Sequence, residues 1–329
     1  MSRKIFSSMV AILGSAAMLA ACSSGGGSET NSASAVSEDG KPYIAVVSKG
    51  YQHQFWQAVK QGAEKAADEL GATITYDGPD NETQVDKQIQ QLQTAMSKNP
   101  AAVVFAALDS QAAVPLLTKA DKDGVPVVAF DSGVDSDIPV ATAATDNKAA
   151  AGEAAKHLVE LIGEKGEVGI VCQDQTSTTA KDRRDGFKEY IEKNAPDVKI
   201  VDVQYGGGDH QKSADLTKSM LQAHSKISGM YGCNEGSAVG IGLGVTEAGK
   251  KGKVTVVGFD SGEAQMNYIK DGTIAGAVTQ DPVDIGYQAV KAAYAASKGE
   301  KVEKEIATNF AWYDKDNIDD SDIQSMLYK

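Results

Sequence analysis

Cysteine is scarce in this chain, three in 329 residues, too few for a disulfide framework, and no metal-ligand spacing accompanies them. The histidines are equally sparse, and His157, His210 and His224 are scattered along presumed helices. Catalytic signatures are missing: there is no nucleophile elbow, no Walker loop and no HExxH. The run Gly240-Ile241-Gly242-Leu243-Gly244 falls inside a helical stretch and lacks GxGxxG spacing, so no dinucleotide site is expected. Neither an enzyme nor a cofactor is therefore expected. No long basic run follows residue 22, and the short Lys181–Arg184 stretch contains Asp182, which argues against nucleic acid. A repressor would need a helix-turn-helix headpiece before residue 42, and none is present there. No stretch after the first residues reaches the roughly 18 apolar residues of a spanning helix.

The start of the chain does carry a signal. Arg3 and Lys4 precede the apolar run Ile5–Ala20 and then small residues, the pattern of a secretory leader. It closes on Leu19-Ala20-Ala21-Cys22, which resembles the lipobox of bacterial lipoproteins. Lipid on Cys22 would hold the chain at a membrane, since stable anchoring takes more than one acyl chain. Ser23–Lys41 is rich in Ser, Gly, Ala and acidic residues and has too little apolar content to fold. Such a tether averages about 25 Å end to end.

The formal charge is −13, and loss of Arg3 and Lys4 with the leader makes it −15. That favours solubility and says little about fold. Cys172 and Cys233 lie in apolar, strand-like runs. They read as buried small hydrophobes, with a single bridge between them as the alternative in an exported protein.

From Pro42 onward, β-rich runs alternate with helical periodicity. Strands are predicted at 43–48, 73–76, 102–106, 127–130, 168–172, 199–204, 229–233, 254–259 and 273–279. Helices are predicted at 55–70, 83–98 (capped by Asp80 or Asn81), 114–122, 149–161, 183–193 and 213–223. Apolar strands separated by helices imply parallel sheets covered on both faces. One segment occurs twice: Val125-Pro-Val-Val-Ala-Phe-Asp-Ser-Gly133 matches Val254-Thr-Val-Val-Gly-Phe-Asp-Ser-Gly262, 129 residues on. Two copies mean a duplicated domain. Each ends in an aspartate where a strand meets its loop, the place where open α/β sheets bind ligands. Asp131 and Asp260 then either face one cleft, as acceptors for a polyhydroxylated neutral ligand, or serve as helix N-caps.

These residues resemble the ribose-type sugar-binding proteins of ABC transport, with the type I periplasmic-binding fold. The carriers are Ile44–Ser48, His53-Gln54-Phe55-Trp56, Gly62, Phe130-Asp131, Thr145-Asp146-Asn147, Asp182–Phe187 around Arg183, Asn234-Glu235, Val257–Asp260 and Thr279–Pro282. The resemblance implies that Ser48 lines the cleft and that Phe55 and Trp56 sandwich a sugar ring. It implies that Asp131 binds ring hydroxyls from the first domain, that Arg183, Asn234 and Asp260 do so from the second, and that Gln280 lies near the hinge. The sequence departs from the pattern at three places. His53-Gln54 replaces Asn-Pro, Ser132 stands where ribose binders carry Arg, and Gly206-Gly207-Gly208 stands where they carry an aromatic. His53 then either donates in place of an amide or titrates. A roomier pocket, for a hexose, ketose or other polyol rather than ribose, is expected.

The expected architecture is α/β: two similar Rossmann-like three-layer domains with parallel sheets, joined by a three-crossing hinge. In residues this is a leader at 1–21 and a lipidated tether at 22–41. The N-terminal lobe is 42–145 with 281–309, and the C-terminal lobe is 146–280 with 310–329. The expected role is an extracytoplasmic, membrane-anchored monomer that passes a small sugar to the permease subunits of an ABC importer. The alternative is a sensor of the same fold that docks on a chemoreceptor, a sensor kinase or a quorum-signal uptake system.

Overall fold

The computed structural model describes residues 40–328; the leader, Cys22 and the tether up to residue 39 lie outside them. The first elements in chain order are β1 (Tyr43–Val47), α1 (Gln54–Leu70), β2 (Thr73–Asp77), α2 (Val85–Ser97), β3 (Ala102–Phe105) and α3 (Val114–Lys122). They continue with β4 (Val127–Phe130), β5 (Ala141–Thr145), α4 (Asn147–Leu161), β6 (Gly166–Cys172), α5 (Thr178–Asn194) and β7 (Val198–Tyr205). Then come α6 (His210–Ala223), β8 (Ile227–Gly232), α7 (Glu235–Glu247), β9 (Thr255–Phe259), α8 (Glu263–Lys270) and β10 (Gly276–Gln280). The last are α9 (Pro282–Ser297), β11 (Glu305–Thr308), β12 (Phe310–Asp314) and α10 (Ser321–Gln324).

The strands form two six-stranded sheets, ordered β11-β5-β4-β3-β1-β2 and β12-β10-β9-β8-β6-β7. The first is parallel throughout. In the second, β12 runs antiparallel to β10, a departure from the all-parallel expectation. Only Asn309 separates β11, at the edge of the first sheet, from β12, at the edge of the second. The apolar strands are explained by burial on both faces. Ile44 and Val46 of β1 enter one core, and Tyr43, Ala45 and Val47 enter the other. Val257 and Val256 of β9 divide in the same way in the second sheet.

The chain passes between the sheets after β5, β10 and β11. At two of these passages an aspartate starts the next helix. Asp146 accepts from the Ala149 N–H (3.0 Å) and Asp281 from the Asp284 N–H (2.9 Å), and each satisfies an orphan donor of the first turn. α9 returns to the first sheet and packs on α1. Glycine makes this close approach possible: a Cβ on Gly62 would collide with the Val283 carbonyl, and one on Gly286 with the Val59 carbonyl.

Several element expectations shift. α2 begins at Val85 with Gln84 as N-cap, because Asn81 closes a local turn on Thr83 instead. α5 begins at Thr178, capped by Ser177. The run Gly240–Gly244 lies in α7, where Gly240 and Gly244 leave room for α6. Cys172 and Cys233, read as buried small hydrophobes with a bridge as the alternative, are joined in a disulfide with their Cα atoms 4.7 Å apart, within the usual range. The parallel pairing of β6 with β8 brings them side by side. Among the described residues no helix is long and apolar enough to cross a membrane.

Candidate functional site

The carboxyl ends of both sheets face one another across a narrow cleft with about 20 Å³ of free space, room for about one water. The first domain supplies Lys49, His53, Phe55, Trp56, Glu82 and Asp131. The second supplies Gln173, Thr179, Arg183, Asn234, Asp260 and Gln280. A larger open groove of about 690 Å³ runs along the β7 edge, but it lies on the flank of the second sheet, away from the strand ends where such folds place ligands.

The two aspartates of the repeated segment occupy matching positions. Both are left-handed, Asp131 at φ 53° and Asp260 at φ 75°, a conformation that costs energy in a non-glycine residue and clusters at functional sites. Matching backbone bonds hold them there, Asp131 N–H to the Ala143 carbonyl (2.9 Å) and Asp260 N–H to the Val278 carbonyl (2.7 Å). Neither starts a helix of its own. Their carboxylates differ in environment. Asp260 accepts from Gln280 Nε2 (2.6 Å), Arg183 Nη1 (3.4 Å) and the Glu235 N–H (3.1 Å). No protein donor among the described residues bonds the Asp131 carboxylate, and burial foremost pushes it up to about 6, against the pull of Lys49 and Arg183.

Arg183 is 3% exposed. Its Nε donates to Asn147 Oδ1 (2.7 Å) and its Nη1 to the Cys233 carbonyl (3.1 Å). Its guanidinium lies 3.9 Å from the Phe259 ring centroid, a cation–π arrangement. Burial alone would lower Lys49, but Glu82, Asp131 and Asp174 outweigh it and hold the ammonium above its ordinary value. Burial works to raise Glu82, yet Lys49, His53 and the Trp56 indole N–H (2.9 Å) hold it below the usual carboxylate range. Burial pushes Glu235 well above that range, with Asp260 and Glu82 adding to the effect. Burial likewise lowers His53, which keeps its imidazole neutral at pH 7.

Polar atoms are left over around this cavity: His53 Nε2, Gln173 Oε1 and Gln280 Oε1 are buried without a protein partner. Unpaired buried groups of this kind are costly. The domains also bond each other directly around the cavity. Lys49 Nζ reaches Thr179 Oγ1 (3.2 Å), Gln52 Nε2 the Gly208 carbonyl (2.8 Å), and the Gly133 N–H reaches Thr178 Oγ1 (2.8 Å).

The sequence from residue 44 to 301 matches the family described as periplasmic binding protein domain. This chain belongs to that family. The binding protein is 31% identical over 266 residues to the D-allose-binding periplasmic protein of Escherichia coli, covering 78% of this chain and 85% of that one. Among solved structures it is similar to an ABC transporter solute-binding protein of Agrobacterium vitis bound with α-D-tagatopyranose, at TM-score 0.85 and 29% identity, covering 88% of this chain and 100% of the other. A carbohydrate transporter solute-binding protein of Agrobacterium radiobacter, in complex with D-arabinose, superposes at TM-score 0.83 and 32% identity over 87% and 99%. The family binds solutes and is not enzymatic.

Of the ten candidate site positions, the binding protein brings eight to the cleft: His53, Phe55, Trp56, Asp131, Arg183, Asn234, Asp260 and Gln280. Ser48 is not among the lining residues; its hydroxyl reaches the Asp77 (3.2 Å) and Gly50 (3.3 Å) carbonyls. Ser132 bonds Thr178 across the cleft (3.2 Å) and also stays off the cavity wall. Phe55 and Trp56 cannot sandwich a sugar ring, since they touch each other edge to face with centroids 4.9 Å apart. They form one wall. The glycine run does not widen the pocket: a Cβ on Gly208 would crowd His53 Nε2 at 3.0 Å, so the first domain's imidazole fills the space a larger residue would take. Sequence reasoning missed Lys49, Glu82, Gln173 and Thr179. Gln173 directly follows a strand end and Lys49 lies two residues past one, which is the signal that could have found them.

Proposed function

We propose that this chain is an extracytoplasmic receptor for a neutral monosaccharide, which it encloses between its domains and delivers to an ABC importer. The supporting observation is the polar cleft with Asp131, an acceptor without a protein donor, on one side and the braced pair Arg183–Asp260 on the other. Ring hydroxyls donate to carboxylates and accept from Arg, Lys and amide N–H groups, and such charge-assisted bonds are the stronger ones. The joined faces of Phe55 and Trp56 suit the apolar C–H face of a sugar. The ligand set is His53, Phe55, Trp56, Asp131, Arg183, Asn234, Asp260 and Gln280, joined by Lys49, Glu82 and Gln173. Ser48 and Ser132 act behind it, shaping the β1 turn and the domain contact. The similar proteins carry names or ligands of an aldohexose, a ketohexose and a pentose.

The lobes are 42–145 with 281–309 and 146–280 with 310–329, and they open and close about the three passages by hinge motion. The protein works as a monomer, anchored through lipid on Cys22. Calorimetry with D-allose, D-tagatose, D-arabinose and D-ribose tests the site: one of them binds and raises the Tm, and silence from all four overturns the reading. Cys22→Ser releases the protein from membranes; retention there defeats the anchor.

A further inference from the structure

Within each sheet the strand order reverses at one point, between β1 and β3 in the first and between β6 and β8 in the second. Ligands of open α/β sheets bind at this switch point. The last paired residues are Val47↔Phe105 and Val171↔Gly232. One residue further on, Ser48 stands beside Ala106, and Cys172 beside Cys233. The backbone bonds match: Ala106 N–H to the Val47 carbonyl (3.0 Å), and Cys233 N–H to the Val171 carbonyl (3.0 Å).

The two switch points are held together differently. In the first domain Gln88, fourth residue of α2, donates from Nε2 to the Ser48 and Ala106 carbonyls (2.8 Å each) and accepts from the Leu108 N–H (3.1 Å). One side-chain amide thus bridges both strand ends. The fourth residue of α6 is Ser213, which is too short to do this, and its buried hydroxyl has no partner. The Cys172–Cys233 disulfide spans that gap instead. The residues that follow the two cysteines, Gln173 and Asn234, both line the cavity, and the Cys233 carbonyl holds Arg183 Nη1.

We propose that the Cys172–Cys233 disulfide is a positioning element of the ligand site, fixing the strand ends that carry Gln173 and Asn234 as Gln88 fixes those of the first domain. The inference rests on the sugar reading of the cavity. A covalent tie between neighbouring strand ends removes ordering that the ligand would otherwise have to impose on binding.

The test uses the full chain exported to an oxidising compartment. Peptides mapped after alkylation without reduction should show Cys172 linked to Cys233; two alkylated thiols overturn the proposal. Two variants follow, Cys172→Ala/Cys233→Ala and Cys172→Ser/Cys233→Ala, the second recreating the first domain's pair. Against whichever of D-allose, D-tagatose or D-arabinose the wild type binds most tightly, both should bind about tenfold more weakly. Leu221→Ala, buried in α6 away from the cavity, should lower the Tm without changing Kd, which separates positioning from general stability. Variants that bind like wild type while folded defeat the positioning role alone. A wild type that binds none of the three sugars defeats the sugar reading, and the positioning role with it.

Discussion

The two domains place an aspartate at the same turn of the same strand, yet prepare it in opposite ways. Asp260 is braced by Arg183, Gln280 and a helix N–H before any ligand arrives. Asp131 carries the same left-handed backbone and no protein donor. Duplication therefore reproduced the backbone device but not its electrostatics. The second domain is a preformed receptor surface, and the first holds a carboxylate whose charge is best satisfied by hydroxyls it does not own. A cleft with one rigid wall and one under-satisfied wall favours closure on a hydrogen-bonding ligand.

The largest way to break this contrast is Arg183→Met. Removing one member of a buried ion pair leaves Asp260 and the Cys233 carbonyl short of a donor and should cost about 3–5 kcal/mol of stability, measured by denaturant unfolding. Next is Gln88→Leu, which strands the Ser48 and Ala106 carbonyls and the Leu108 N–H. It should cost about 1–3 kcal/mol of stability and weaken sugar affinity through the first domain, with unfolding and calorimetry as the two readouts.

Third is the pair Asp260→Asn and Asp131→Asn. Each should weaken affinity by roughly 1–3 kcal/mol. Asp260→Asn should also lower the Tm, whereas Asp131→Asn should leave it unchanged or raise it, because the carboxylate it removes is buried without a donor. Equal Tm losses would erase the contrast. The smallest effect is on pH. A ligand that donates to the Asp131 carboxylate binds its ionised form, so affinity should be full above about pH 6 and fall as the pH drops through that value, by at most about tenfold per unit. The sign for folding is opposite. The raised value means that the folded chain holds this proton more tightly than the unfolded one, so Asp131 costs stability above about 6 and that cost fades below it. Asp131→Asn should flatten both profiles.

Much of the scaffold was legible in the sequence because its signals are local. Helical spacing in α1, the unbroken apolar strands and the repeated segment ending at Asp131 and Asp260 each depend on neighbours a few residues away. The sandwich expected of Phe55 and Trp56 failed because a ring's direction at a helix start depends on what packs against it. Nothing local in the sequence marks Gln88, since its value lies in two carbonyls that are 18 and 40 residues distant.

By itself, then, the sequence determined the alternating α/β architecture, the duplication and the two aspartates at its strand ends. Tertiary structure alone decided which strand ends lie side by side. It paired Cys172 with Cys233, turned β12 antiparallel, and brought Lys49, Glu82 and Gln173 to one cavity with Arg183. The physical reason is range: periodicity is written within one element, whereas register, burial and the fields of neighbouring charges arise only when segments far apart in the chain are packed together.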